Sequence, residues 1–294
     1  MMETIDIAYL RARILSGACD LHMHTTASDG SSSPELLANE VVAAGLETIA
    51  LTDHDTLKGI EPLRRSLLGI YALRGIEVPA LIPGIELSVD WRGREVHLLG
   101  YLPPKNYGRI QPYLDKQLAN RQLRNRRMCE RLTELGFPVT LAELEEVADG
   151  RNAGRPHLAM LLWQKKYVET PQEAFNQLIG FGRPAYVARR RSPLEQGVKE
   201  ILACKGVPVV AHPQNYGWLK ERPRLLDHLR ELQAVGVQGV ETIHGETSLT
   251  NSRLIADVAD ELGLLKTIGS DYHGFHKGHV RLYTKDDNFF EYLK

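Results

Sequence analysis

Histidines and carboxylates in this chain of 294 residues fall where short β-type runs end. One run closes on Asp20-Leu21-His22-Met23-His24, followed by Ser28-Asp29-Gly30. The next closes on Thr52-Asp53-His54-Asp55. A third carries Pro83-Gly84-Ile85-Glu86 and a fourth carries His97. The remainder end in Ala211-His212-Pro213, Glu241-Thr242-Ile243-His244 and Gly269-Ser270-Asp271-Tyr272-His273. Neutral imidazoles and carboxylates suit Zn, Mn or Fe(II). Residues two positions apart on a strand point the same way, so His22 and His24 can reach one ion. Each fragment alone is weak evidence. A lone histidine is more often exposed or a satisfied core residue, and Gly-Ser-Asp is usually a turn. Ligand chemistry at every one of these strand ends is hard to obtain by chance. The chemistry it predicts is metal-assisted hydrolysis. Adjacent divalent ions lower the pKa of a bound water to about 7.

Such ligands must be carried by strands and spaced by helices. The β-type runs are roughly Ala18–His22, Thr48–Leu51, Ala80–Ser88, Val96–Tyr101, Val207–Ala211, Gly239–Ile243 and Lys266–Gly269. The first intervening helix is well punctuated. Ser33 can cap it, Pro34 suits its first position, Leu36, Leu37, Val41 and Ala44 share a face, and Gly45 stops it. Further helices are expected near 56–73, 193–205, 224–235 and 248–263. This alternation argues for a parallel sheet or barrel, with its active site in the loops after the strand C-termini. The stretch 103–190 is different: it is nearly strand-free and rich in Leu, Ala, Glu, Gln and Arg. Helices are expected there near 108–135, 140–149, 155–167 and 171–179. The expected organisation is therefore an α/β domain over 1–102 and 191–294, with a helical insertion or cap over 103–190.

Bulk properties exclude several classes. Lys plus Arg is 36 against 37 for Asp plus Glu, a formal charge of −1, so an anionic partner must be recognised locally. Cys19, Cys129 and Cys204 are odd in number and form no CxxC pair, against a disulfide framework or zinc knuckle. No signal-like segment and no run of about 18 apolar residues is seen. The expectation is a cytoplasmic protein with no membrane association and no obligate protein partner. Among the 11 histidines, His228 falls in a polar helical pattern and is expected to be merely exposed.

The motifs DLHMHTTASDG, TDHD, PGIE, HLLGY, AHP and GSDYH, in this order between positions 20 and 273, resemble the PHP (polymerase and histidinol phosphatase) family. The resemblance implies a distorted (β/α)7 barrel with metal ions at its mouth. The inserted segment, with Gly154-Arg155-Pro156-His157, further resembles the stand-alone phosphoesterase branch. That branch implies a substrate such as a nucleoside 3′,5′-bisphosphate, attacked at its 3′-phosphate, or short RNA trimmed from the 5′ end. Carried over motif by motif, His22, His24 and Asp271 would hold one ion with Glu86 bridging. Glu86, His97 and His212 would hold a second. Asp29, His54 and His273 would hold a third. Many relatives place histidine where this chain has Asp29, so the resemblance leaves two ions or three open. It favours Mn2+, with Fe2+ and Zn2+ acceptable to the same donors.

Asp271 is expected to orient the attacking water as well as to bind metal. His244 matches none of the ligand motifs and is assigned to phosphate contact or protonation of the leaving alcohol, against a purely structural role. Arg155 and His157, two apart at a helix start, are assigned to phosphate binding. Runs of arginine at Arg121, Arg124, Arg126, Arg127 and Arg131, and at Arg189, Arg190 and Arg191, favour a polyanion if they face the mouth, although most such runs are solvated faces. The other readings are a histidinol-phosphatase-like enzyme, an amidohydrolase and a non-catalytic metal-binding module.

Overall fold

The computed structural model describes residues 4–150 and 152–289. The chain divides into two compact units, Met1–Gln111 with Ser192–Lys294, and Pro112–Arg191. In the first unit seven strands form one sheet among the described residues, ordered as in the sequence. They are β1 Cys19–Met23, β2 Thr48–Leu51, β3 Ala80–Trp91, β4 Arg94–Tyr101, β5 Val207–Val210, β6 Gly239–His244 and β7 Leu265–Gly269. The first and last strands meet: the Asp271 amide donates to the His22 carbonyl (2.8 Å) and the His24 amide to the Tyr272 carbonyl (2.9 Å). The sheet is thereby nearly closed into a barrel of the α/β class, with its closing bonds at candidate ligands.

The barrel is not all-parallel. β1, β2 and β3 run parallel, as do β5, β6 and β7, but β4 is antiparallel to both its neighbours. The reason is local. Only Arg92 and Gly93 separate β3 from β4, and both have positive φ (55° and 76°). Such a turn matches the twist of a two-residue hairpin, whereas a parallel return needs a dozen or more residues. Reversal changes which end of a strand carries chemistry. In β3 the core residue Ile82 precedes Glu86, whereas in β4 the core residues Leu99 and Tyr101 follow His97. Both strands thus supply apolar residues to the same core and ligand chemistry above it.

Helices α1 Ile7–Ser16, α2 Pro34–Ala43 and α3 Ile60–Arg74 precede the insertion. The first of them was not anticipated. Its cap is Asp6, whose carboxylate accepts from the Tyr9 amide (2.8 Å), and its Leu10 and Ile14 join the barrel core. At α2, Ser33 accepts from the Leu36 amide (3.2 Å) and Pro34 opens the helix. One glycine is forced by packing. A Cβ on Gly269 would lie 2.2 Å from the Cβ of His22 and 2.8 Å from Glu241 Oε1. Gly269→Ala is expected to destabilise the protein by about 1–3 kcal/mol through overpacking and to weaken metal retention. An unchanged urea midpoint would contradict this.

The second unit contains α4 Gln111–Glu134, α5 Leu141–Ala148, α6 Arg155–Gln164 and α7 Pro171–Ala174, the last continuing as a π turn over Phe175–Ile179. Met128, Leu132, Leu144, Leu158, Leu162 and Ile179 are in its own apolar core. Thr140 and Glu143 form a reciprocal cap on α5. Helices α8 Leu194–Ala203, α9 Arg222–Ala234 and α10 Leu249–Leu262 return the chain to the barrel unit.

Candidate metal centre

Glu86 is the hub of the site. Its carboxylate is fully buried and is reached by five imidazoles. Oε2 lies 3.2 Å from His22 Nε2, 3.1 Å from His24 Nε2 and 3.1 Å from His54 Nδ1. Oε1 lies 2.8 Å from His97 Nδ1 and 2.9 Å from His212 Nε2. The strands impose this meeting. His22 is on β1, Glu86 on β3 and His97 on β4, while His24, His54 and His212 lie in the loops just after β1, β2 and β5. Asp271 completes the group, with Oδ1 3.4 Å from His22 Nε2, 3.2 Å from His24 Nε2 and 3.5 Å from His273 Nδ1. Asp29, more than half exposed, has Oδ1 3.3 Å from His273 Nε2 and Oδ2 3.7 Å from His54 Nε2. The nine residues expected as ligands are thus brought together. Clusters with metal-like spacing among the described residues are His22, His24, Glu86 and Asp271; His54, Glu86 and His97; His24, Asp29, His54 and His273; and His244, Glu246 and Asp271.

The donors fit divalent cations. His22 Nε2, His24 Nε2 and Glu86 Oε2 are buried, close together and without a hydrogen bond. Buried polar atoms left in that state are costly, and a cation among them would satisfy all three. Burial raises the Glu86 carboxyl, but the charges of His54, His22 and His97 and the hydrogen bond from His212 outweigh it and hold the group well below the usual carboxylate range. Burial pushes His54 down to about 4. Burial likewise lowers His212, toward the neutral form that ligates. Burial also lowers His24 and His97, but neighbouring carboxylates outweigh it and raise both to about 10, so a cation entering there would displace protons. Two of the positions carry backbone strain as well. His212 (φ 28°) and Asp271 (φ 60°) are non-glycine residues at positive φ, a feature that concentrates at functional sites.

Other acids at the strand ends turn away from the hub. Asp53 accepts from the Thr25 amide (2.8 Å), the Thr25 hydroxyl (2.8 Å) and the Ser28 hydroxyl (2.7 Å), which pins the first loop. Asp55 accepts from the Ser88 amide (3.1 Å). Asp20 accepts from the amides of Ser270 (2.9 Å) and Tyr283 (3.2 Å).

Three residues that sequence reasoning left without a role hold the cluster from behind. Glu241 Oε1 lies 2.9 Å from His22 Nδ1, and its Oε2 accepts from the His212 amide (2.8 Å). Tyr216 Oη accepts from the His97 amide (2.8 Å) and lies 3.1 Å from His212 Nδ1. Lys277 Nζ donates to Asp271 Oδ2 (2.7 Å) and pairs with Glu246 (2.6 Å). Glu241 had a signal, since it shares its strand with His244; Lys277 and Tyr216 had none. Carboxylates behind ligating histidines fix their tautomer and ring orientation, and losing one costs about 10- to 100-fold in metal affinity. Glu241→Gln is expected to weaken metal binding by that factor with little loss of secondary structure. Unchanged affinity in a competitive chelator titration would count against it.

His244 is buried behind Asp271. Its Nδ1 accepts from the Glu246 amide (3.0 Å), so its proton resides on Nε2, 3.2 Å from Asp271 Oδ2. Phosphate contact or proton donation by this ring requires that second bond to be exchanged. In the helical unit, His157 Nδ1 accepts from the Gly154 amide (3.1 Å) and so caps α6. The Arg155 guanidinium lies over the rings of Tyr186 (5.6 Å) and Phe175 (6.0 Å). Arg124 is buried and is pushed down to about 9, first by burial and then by Arg121, Arg189, Arg155 and Arg191. Repulsion among these guanidiniums thus adds to the effect of burial.

A nearly closed barrel that gathers imidazoles and carboxylates around a shared glutamate defines a metal-dependent hydrolase scaffold. The family model of the PHP domain matches residues 20–179, and the chain belongs to the PHP family. It is 32% identical over 254 residues to a 5′-3′ exoribonuclease of Haemophilus influenzae, covering 86% of this chain and 89% of the relative. It is 30% identical over 269 residues to a 3′,5′-nucleoside bisphosphate phosphatase of Chromobacterium violaceum, covering 88% of each. Among solved structures, a candidate metal-dependent phosphoesterase of Bifidobacterium adolescentis superposes with a TM-score of 0.73 at 28% identity, over 94% of this chain and 95% of the other.

Proposed function

We propose that this chain is a metal-dependent phosphoesterase that hydrolyses phosphorylated nucleotides. The 3′-phosphate of a nucleoside 3′,5′-bisphosphate is the leading substrate, and short RNA cleaved from the 5′ end is the second. The observation that carries the reading is Glu86, a single buried carboxylate shared by five imidazoles. Its support from outside the site is the pair of relatives named for these two activities.

We assign the metal positions to His22, His24, Asp29, His54, Glu86, His97, His212, Asp271 and His273. These residues would hold divalent ions, with Mn2+ our choice and Fe2+ or Zn2+ the other ions these donors accept, and such ions would supply Lewis acidity for hydrolysis. Asp271 keeps Oδ1 toward the cluster, where it would orient an attacking water. Lys277 and His244 hold its Oδ2 from the other side and prevent the carboxylate from rotating. We assign Arg155, at the start of α6, to phosphate binding through its guanidinium donors.

A panel of nucleoside mono- and bisphosphates, a 5′-phosphorylated oligoribonucleotide and acyl amides, assayed with Mn2+, tests the reading. Phosphate release from the bisphosphate is the expected result, and turnover of the amides alone would overturn it. Metal analysis of the same preparation decides the ion. Arg155→Ala is expected to raise KM for the bisphosphate about 10- to 100-fold, the equivalent of about 1.5–3 kcal/mol for a charged hydrogen bond. A simple chromogenic phosphate ester should be spared; an equal loss on both would remove Arg155 from phosphate binding.

A further inference from the structure

The barrel unit contains a second feature that the metal cluster does not use. A cavity of about 310 Å³ is walled by Trp91, Tyr216, Trp218 and His228. The rings pack against one another: Trp91 and Trp218 meet edge to face with centroids 5.3 Å apart at 70°, while Trp218 and His228 (5.2 Å, 58°) and Tyr216 and Trp218 (4.7 Å, 48°) are tilted. His228 is therefore half-buried among indoles rather than merely exposed as the polar helix pattern suggested; its neighbours come from β3 and from the turn before α9, which the helix pattern does not reveal. Arg94 and Arg224 line the same cavity. Both are exposed, and neither guanidinium makes an ion pair among the described residues. Arg92 is already held by Glu231 (2.6 Å) and lies 4.9 Å over Trp91. Tyr216 belongs to cavity and metal site alike, because its hydroxyl touches the His97 amide and His212.

We propose that this cavity is a nucleobase subsite, which takes the base of a neighbouring nucleotide when an oligoribonucleotide presents its phosphodiester to the metal cluster. Single-stranded nucleic acid is recognised by aromatic walls for the bases and by cations along the backbone. Both are present here, and Arg94 and Arg224 supply free positive charge for the adjoining phosphates. Asn215, exposed on the lining, offers an amide to a base edge. The volume lies at the lower end of the roughly 300–1,000 Å³ common for ligand pockets, which suits one base. A nucleoside bisphosphate has a single base and no neighbouring nucleotide, so this subsite separates the two substrates. The inference rests on the phosphoesterase reading for its reaction but not for its binding.

Two measurements test it. First, the whole chain carrying Asp271→Asn, which slows turnover, is titrated without added metal with an adenosine dinucleotide and with ribose 5-phosphate while tryptophan emission is followed. Saturable quenching by the dinucleotide alone is expected. It should survive Trp163→Phe and weaken about ten-fold in the Arg94→Ala/Arg224→Ala double variant. Second, in the otherwise unaltered enzyme that double variant should raise KM about ten-fold for a 5′-phosphorylated trinucleotide and leave the nucleoside bisphosphate unchanged. No saturable quenching, or an equal loss on both substrates, overturns the proposal. Quenching that follows this pattern in a protein that hydrolyses neither substrate would sustain the subsite and overturn the assigned activity instead.

Discussion

Asp271→Asn is expected to lower turnover of phosphate esters by about 10²- to 10³-fold, the range for loss of one electrostatic contact to developing charge, while the fold persists. The two oxygens of Asp271 face different neighbours. Oδ1 approaches His22, His24 and His273, and Oδ2 accepts from Lys277 and lies beside His244. An asparagine retains one oxygen. If its amide group faces Lys277 and His244, donors meet donors; if it faces the cluster, a ligand is lost. Neither orientation reproduces the carboxylate. Circular dichroism should remain that of the parent protein, since the Asp271 amide, not its side chain, makes the barrel-closing bond to His22. Phosphate-release kinetics with matched metal loading is the measurement. Near-normal kcat would contradict the role assigned to Asp271.

Glu86→Ala is expected to do more, removing metal and activity together. Removal of an outer partner of a ligand costs up to roughly 100-fold in metal affinity, and Glu86 lies inside the cluster, with an oxygen toward each of two groups of imidazoles. Without it, His22, His24, His54, His97 and His212 lose the one carboxylate that all five share. Protonation of any one is then opposed by its neighbours, and a cation is held by fewer donors. The expected result is a purified protein with little bound metal and no measurable phosphate release at metal concentrations that saturate the parent. Full retention of metal by this variant would mean that Glu86 is a structural acid and that the hub lies elsewhere.

Much of the scaffold was legible in the sequence. β2 runs over Thr48–Leu51 as its β-branched and apolar run indicates, and α2 starts after Ser33 and at Pro34 as cap chemistry requires. These are short-range effects, fixed by side chains within a few residues of each other. The chemistry-bearing histidines and acids were legible for a related reason. Each sits in or just after a strand whose local pattern announces it, so a set spread from His22 to His273 could be assembled as a candidate centre before its geometry was known.

What only the tertiary structure decided depends on partners far apart in the chain. β4 runs antiparallel, although its Val-His-Leu-Leu order, with the ligand before the core residues, was already the reverse of that in β3. The cap Asp6 and the core contacts of α1 fall outside the strand–helix alternation, because α1 precedes the first strand and its apolar residues do not by themselves say what covers them. Glu241 meets His22 across 219 positions, and Lys277 reaches Asp271 only because the chain turns back after β7. The same holds for Tyr216 behind His97, 119 positions away, and for His228 between two indoles. Secondary structure follows from nearest-neighbour sterics and hydrogen bonding, which a sequence displays directly. Which acid stands behind which imidazole follows from strand direction and closure of the sheet, and these exist only once distant segments have packed.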